Sequence, residues 1–169
     1  MRFTDRMKRF RALTLVMMLS LAGCATEEVG PPKPELPKAP AEPVCQPTTA
    51  GTQLTGQWYF VRQQKGVAGE VQTLMTLGAD GKLKQQTRVK QGRNIRSELR
   101  ETGCWTFDAS SLKTQVVRSN GELVDFDDAI YTVHYQVDRV TGDRLTFRES
   151  RAGSKPMTAK KMPPGFLLN

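Results

Sequence analysis

From about residue 52 onward, hydrophobic and polar residues alternate along the chain with a period of two. This period places successive side chains on opposite faces of an extended backbone, and it predicts β-strands that are buried on one face. The alternation is clearest over residues 130–138. Asp80-Gly81 and Asn120-Gly121 each lie between two such runs, and dipeptides of this kind accept the positive φ angles of tight hairpin turns. The pattern therefore predicts consecutive β-hairpins.

About eight strands of this kind follow one another along the chain, and a chain of hairpins forms an antiparallel meander. Eight strands can close into a barrel, which removes the exposed sheet edges. We therefore predict an all-β domain over residues 52–161, an antiparallel meander of about eight strands closed into a small barrel. A two-sheet sandwich is the alternative, although its crossovers usually need longer connections. The tail 162–169 is apolar and contains prolines; it either plugs or straps the barrel or is a loose end.

The segment before the strands has a different composition. Seven of the ten prolines lie between residues 30 and 47, a density that neither a helix nor a sheet tolerates. We expect an extended spacer of about 3.1 Å per residue, which forms most of a linker over residues 24–51. The alternative is a docking site for a partner that recognises proline-rich peptides.

The amino-terminal segment 1–23 has the layout of a secretory signal. Five basic residues within the first eleven positions precede an apolar run of about eleven residues, which is shorter than the ~20 residues of a membrane-spanning helix. The run ends in Leu21-Ala22-Gly23-Cys24, which resembles the lipobox of bacterial lipoproteins. That resemblance implies cleavage before Cys24 and attachment of a diacylglyceryl group and a further acyl chain such as palmitate. Because Ala25 follows the cysteine, it also implies sorting to the outer membrane, with the domain facing the periplasm or exposed at the cell surface.

Two short motifs within the strands carry a second resemblance. Gly56-Gln-Trp58 is similar to the Gly-x-Trp that opens lipocalins, and the segment Gly103–Asp108, which includes Trp105, resembles a motif of small lipocalin-like lipoproteins of bacteria. The resemblance implies a barrel that binds a small apolar or amphipathic ligand, with Trp58 and Trp105 either in the wall of the ligand site or in the core. A barrel of eight strands can also be filled by its own side chains. A fully packed interior would count against the ligand.

The net charge of the chain gives no reason to expect nucleic acid as a partner. The formal charge is +8, but the signal segment contains five basic residues and one acidic residue, so the mature chain carries +4. Residues 82–100 contain seven basic residues and Glu98 as the only acidic one. This run is either a solvated face or a surface for an anionic partner, such as lipid headgroups, lipopolysaccharide phosphate or an acidic protein. The candidate contact residues are Lys84, Arg88, Arg93 and Arg96.

The remaining chemistry is sparse. The chain has three cysteines, and lipidation of Cys24 leaves Cys45 and Cys104, which we predict to form a disulfide in an oxidising compartment; free thiols or a redox pair are the alternatives. The chain has one histidine and no recognisable phosphate loop or metal-ligand cluster. We expect a monomeric protein that is not an enzyme and has no cofactor. It binds either a ligand inside the barrel or, if the core is solid, an envelope protein, as small barrel-shaped protease inhibitors do.

Overall fold

The alternating segments form antiparallel strands in the computed structural model, which describes residues 41–168. The predicted signal segment and the lipidation site Cys24 lie outside this range. Two short 3-10 helices, Thr52–Leu54 and Ala129–Tyr131, accompany the strands. The strands are β1 Gly56–Arg62, β2 Glu70–Leu77, β3 Lys82–Gln91, β4 Asn94–Asp108, β5 Ser111–Ser119, β6 Glu122–Leu123, β7 Thr132–Thr141, β8 Arg144–Glu149 and β9 Met157–Met162.

The strands close into a barrel because the first and last of them pair with each other. The order around the barrel is β1, β2, β3, β4, β5, β7, β8 and β9, and β9 pairs back to β1. All of these pairs are antiparallel. The additional strand β6 has two residues and pairs only with the end of β5. The prediction of an all-β, eight-stranded antiparallel barrel is confirmed.

β6 is short, and β7 is shifted along the chain relative to the alternation over residues 130–138. β6 covers only Glu122–Leu123. The N–H of Val124 still donates in register to the carbonyl of Val117 (3.0 Å), and the chain then turns, because the N–H of Phe126 donates to the carbonyl of Val124 (2.9 Å). β7 begins only at Thr132 because the Asp128 carboxylate accepts a hydrogen bond from the N–H of Ile130 (3.0 Å) and starts a 3-10 turn. The sequence does not reveal β9, in which lysines interrupt the alternation and only Ala159 is fully buried.

One half of the barrel interior is filled by large apolar side chains. Trp58, Trp105 and Phe147 are fully buried. The indole N–H of Trp58 donates to the carbonyl of Leu54 (2.6 Å), and that of Trp105 donates to the carbonyl of Gly78 (2.8 Å), so neither ring carries an unsatisfied donor. The 3-10 helix that contains Leu54 covers this end of the barrel, since the Leu54 side chain is fully buried. We call this half the closed end.

The opposite half, which we call the rim, is lined by polar side chains. An ion pair joins Arg62 on β1 to Glu149 on β8 (3.2 Å), and the amide of Gln85 donates to the carboxylate of Glu101 (3.1 Å). Burial raises the pKa of Glu101, although the Gln85 hydrogen bond partly offsets it. Burial and, to a lesser extent, the Glu149 carboxylate raise the pKa of Tyr135 to about 12. The interior therefore changes from apolar to polar along the barrel axis.

A disulfide fastens the segment before β1 to the barrel. Cys45 is bonded to Cys104 on β4, so the predicted disulfide is confirmed. The segment is in close contact with the wall: a Cβ on Gly81 would lie 2.0 Å from the carbonyl oxygen of Gln46, and a Cβ on Gly51 would lie 2.8 Å from the Phe107 ring. Glycine at these positions is what allows this close approach.

The tail after β9 is a strap on the outside of the barrel. Phe166 exchanges two hydrogen bonds with the Gln57 side chain on β1 (3.2 and 3.3 Å), and Arg88 on β3 donates to the carbonyl of Leu168 (2.5 Å). Since β2 lies between β1 and β3, the tail must cross it. This crossing explains why Leu74, on the outer face of β2, is only 5% exposed. Of the three alternatives for this tail, the strap is the correct one.

Candidate functional site

The hairpin of β3 and β4 extends beyond the neighbouring strand β5 on its β4 side, whereas β3 pairs with β2 as far as Lys90. β4 has 15 residues, but its pairing with β5 begins only at Glu101. Its first residues therefore pair with β3 alone. Residues 91–97 are all exposed, on both faces of the hairpin. We call residues 88–100 the arm; it contains the end of β3, the turn and the beginning of β4.

The arm is a basic part of the described surface. It carries five cationic side chains and one carboxylate, so its formal charge is +4. The cationic residues are Arg88, Lys90, Arg93, Arg96 and Arg100. Arg96 donates a hydrogen bond to the Gln91 side chain (3.0 Å) across the hairpin, and Arg93 lies in the exposed turn. The charge is therefore concentrated where solvent and partners have access.

The one carboxylate of the arm is fully engaged. Glu98 accepts hydrogen bonds from Gln86 (3.0 Å), Arg88 (2.7 Å) and Arg100 (2.7 Å). The Gln86 bond, followed by those of the two arginines, lowers the pKa of Glu98. The Arg88 side chain is only 13% exposed as a result. Glu98 therefore stays ionised well below neutral pH and neutralises charge within the arm rather than repelling an anion from it.

Two open depressions lie beside the arm. The first, of about 400 Å³, lies between the β1–β2 connection and the tip of β3; Gln63, Gly69, Glu70, Lys90, Gln91 and Gly92 line it. The second, of about 500 Å³, lies between β4 and the turn after β5; Glu98, Arg100, Asn120 and Gly121 line it. Both depressions are at the surface, outside the packed interior. The arm is therefore flanked on both sides by concave surface.

The structure divides the predicted binding residues into three groups. Trp58 and Trp105 lie in the packed closed end and have no surface exposure to offer a ligand. Lys84 is exposed on the outer wall at β3. The Arg88 side chain forms an ion pair with Glu98 and donates a hydrogen bond to the carbonyl of Leu168. Arg93 and Arg96 are exposed on the arm. The part of β4 before Glu101, which has no partner on the β5 side, is the feature that sequence reasoning missed. We call it the overhang; its extent depends on where β5 stops pairing.

Two kinds of feature are not found among the described residues, a metal-ligand cluster and a membrane-spanning helix. No group of three or more His, Cys, Asp or Glu side chains within residues 41–168 is arranged to hold a metal ion. Over the same range, no helix is long and apolar enough to cross a membrane. The rim groups are paired with one another, apart from the Nε of Arg62, which is buried without a hydrogen-bond partner among these residues. What the arrangement offers chemically is recognition of anions at the arm.

Comparison with known proteins adds one structural likeness. No protein-family model matches the chain, and no curated protein matches it. Among solved structures, the chain is similar to a protein from Shewanella oneidensis described as a "putative lipoprotein", with 17% identity and a TM-score of 0.41. The alignment covers 68% of this chain and 96% of that one. A likeness of this degree carries no argument about function, and the fold assignment rests on the strand pairing of the chain itself.

Proposed function

We propose that the mature protein is an outer-membrane lipoprotein whose barrel is a solid scaffold and whose arm binds an anionic partner in the cell envelope. The observation that carries the proposal is the arm, which extends beyond β5 with residues 91–97 exposed and has a formal charge of +4. Leu21-Ala22-Gly23-Cys24 supports the lipid anchor. A cationic projection increases the rate at which anionic partners are captured.

The packed interior supports this proposal over a ligand carrier. Trp58, Trp105 and Phe147 fill the closed end, and ion pairs and hydrogen bonds connect the side chains of the rim. Small-molecule sites are usually concave and mostly apolar, with volumes of about 300–1,000 Å³. The two depressions described above have such volumes, but they are open at the surface beside the arm, and no hydrophobic residue is among those that line them. The apolar interior ligand therefore remains an untested prediction that the packing does not favour.

Photocrosslinking in living cells tests the proposal. A photoreactive amino acid is placed at Asn94 or Ser97 on the arm and, as a matched control, at Gly142 in an exposed turn with no atom near it. We expect discrete crosslinked products from the two arm positions and none of the same mass from Gly142. Equal products from all three positions, or none from the arm, would refute the proposed role of the arm.

Charge reversal separates attraction by the arm from attraction by overall charge. The double variant Arg93→Glu, Arg96→Glu changes the net charge by the same amount as Arg144→Glu, Lys155→Glu, which alters two exposed residues elsewhere. We expect the arm variant to abolish the crosslinked products and the control variant to retain them. Loss in both variants would assign the effect to net charge alone. Native mass spectrometry of the mature protein provides a further check, since a lipid-like molecule bound in addition to the anchor would favour the interior ligand.

A further inference from the structure

The beginning of β4 is an open sheet edge. At Arg100, the backbone N–H donates to the side-chain oxygen of Asn120 (3.0 Å) instead of to a strand carbonyl, and the backbone carbonyl accepts from the N–H of Asn120 (2.6 Å). Asn120 thus ends the β4–β5 ladder. Before this point, residues 94–99 other than Arg96 pair with β3 on one side, and no other strand of the described range pairs with them on the opposite side.

The free hydrogen-bonding groups on this edge can be assigned by strand geometry. In an antiparallel strand, the N–H and C=O of one residue point to the same side, and the next residue points to the other side. Since the backbone groups of Arg100 point away from β3, those of Glu98 do so as well. The register shift opposite Val89 and Lys90 leaves Arg96 as an extra residue on β4, so the regular part of the open edge is short. Its centre is the Glu98 backbone.

The space beside this edge can hold an added strand. The depression of about 500 Å³ that Glu98, Arg100, Asn120 and Gly121 line lies directly against it. Unpaired edges of this kind recruit extended peptides as extra strands, in which backbone hydrogen bonds give affinity and side chains give specificity. The cations around the edge are Arg93, Arg96 and Arg100, and the carboxylate of Glu98 is already held by arginines.

We infer that the open edge of β4 binds an extended, acidic segment of another polypeptide as an added strand, centred on the Glu98 backbone. This inference rests on the proposed function of the arm and names the class of its anionic partner. The linker of this chain is a poor occupant, because prolines lack the N–H that a strand ladder needs. A second copy is also disfavoured, since it would bring two arms of charge +4 together. Charge complementarity selects an acidic segment.

A pair of substitutions at Glu98 isolates the backbone hydrogen bond. Glu98→Ala and Glu98→Pro both remove the carboxylate, but only proline also removes the N–H that points away from β3. The probe is a synthetic peptide of about eight residues that alternates Glu with Thr or Val, and binding to the mature protein in non-ionic detergent is measured by fluorescence anisotropy. We expect Glu98→Ala to bind at least as tightly as the wild type. We expect Glu98→Pro to bind about tenfold or more weakly, since it leaves a peptide carbonyl unpaired.

Hydrogen exchange on the wild-type protein provides a measurement that does not depend on the folding of a variant. The Glu98 amide should exchange several-fold more slowly when the peptide is bound, whereas the Ser97 amide, which already points toward β3, should change little. A peptide with N-methylated amides of the same sequence serves as the control and should not slow the exchange. Unchanged protection of Glu98 at saturating peptide would overturn the inference.

The outcomes separate this inference from the proposed function on which it rests. If Glu98→Pro binds as tightly as Glu98→Ala while Arg93→Glu, Arg96→Glu abolishes binding, the arm recognises anions without strand pairing and only the inference fails. If the wild type binds vesicles with phosphatidylglycerol but not the peptide, the partner is a membrane surface and the inference fails again. If none of the arm substitutions affects any probe, the proposed function fails as well.

Discussion

The Cys45–Cys104 disulfide offers a direct test of how the barrel is held together. Its two cysteines are 59 residues apart in sequence, and the loop they close contains the whole of β1, β2 and β3. A cross-link stabilises mainly by limiting the unfolded chain, and the chain-entropy relation for a loop of this length gives about 4 kcal/mol. We expect the double variant Cys45→Ser, Cys104→Ser to lose about this much of its free energy of unfolding.

The full effect requires that the segment before β1 stays attached when the bond is absent. The contacts support this, because Gly81 and Gly51 lie against Gln46 and Phe107 at distances that leave no room for a Cβ. Leu54, which follows the segment, is fully buried. The segment is therefore part of the cooperative core, and the bond constrains the unfolded state far more than the folded one.

Urea unfolding of the mature protein in non-ionic detergent measures the loss. The buried Trp58 and Trp105 provide the fluorescence signal. For a urea m-value of about 2 kcal/mol/M, a loss of about 4 kcal/mol lowers the midpoint by about 2 M. An unfolding entropy of about 2.1 cal/mol/K per residue over the barrel corresponds to a fall in Tm of about 15 °C. Wild-type protein reduced with dithiothreitol is the control, and it should unfold at the same midpoint as the double variant.

A much smaller shift would refute this reasoning. If the midpoint falls by less than about 0.5 M with an unchanged m-value, the loss is below about 1 kcal/mol. The segment 41–51 would then detach in the folded state once the bond is cut, and the freedom it gains would offset the entropy gained by the unfolded chain. Rapid proteolysis at residues 41–51 of the reduced protein, with the barrel intact, would identify this alternative.

Three further predictions concern the rim, the strap and the core. Because burial raises the pKa of Glu101, ionisation of this carboxyl opposes folding at pH 7. Glu101→Gln should therefore raise the urea midpoint at pH 7. It should leave the midpoint unchanged below about pH 4, where the carboxyl is protonated in both the folded and the unfolded state. Leu168 on the strap is 6% exposed, whereas its neighbour Leu167 is 68% exposed. Leu168→Ala should therefore lower the free energy of unfolding by about 2–3 kcal/mol, and Leu167→Ala by less than about 0.5 kcal/mol. Equal losses in the two variants would contradict the packing of the strap against the barrel. Trp105→Phe removes the hydrogen bond to Gly78 and should cost about 2 kcal/mol, measured through the fluorescence of Trp58.

Local patterns account for the part of the fold that the sequence predicts. Asp80-Gly81 lies in the turn between β2 and β3, where only Gly81 has a positive φ, and Asn120-Gly121 ends β5 with positive φ at both residues. The alternation of β7 places Tyr135 and Val137 in the core, as expected. Tyr131 departs from this face because it lies in a 3-10 turn.

Features that depend on distant parts of the chain could not be predicted in the same way. β9 is recognised only by its pairing with β1, since its own alternation is weak. The role of Arg88 depends on Leu168, which is 80 residues away. The overhang of the arm is set by Asn120, whose side chain ends the β4–β5 ladder at Arg100. The pattern of β4 itself does not mark that point, because its residues alternate on both sides of it.

The run of cations that the sequence presents as one feature has three separate roles in the fold. Lys84 is exposed on the outer wall, Arg88 anchors the strap, and Arg93 and Arg96 face solvent on the arm. Glu98 belongs to two of these features at once, because its carboxylate holds Arg88 while its backbone lies on the open edge. Loss of the carboxylate should therefore loosen the strap and leave the edge intact. Loosening of the strap and loss of the edge can thus be separated at a single residue, by comparing alanine with proline at position 98.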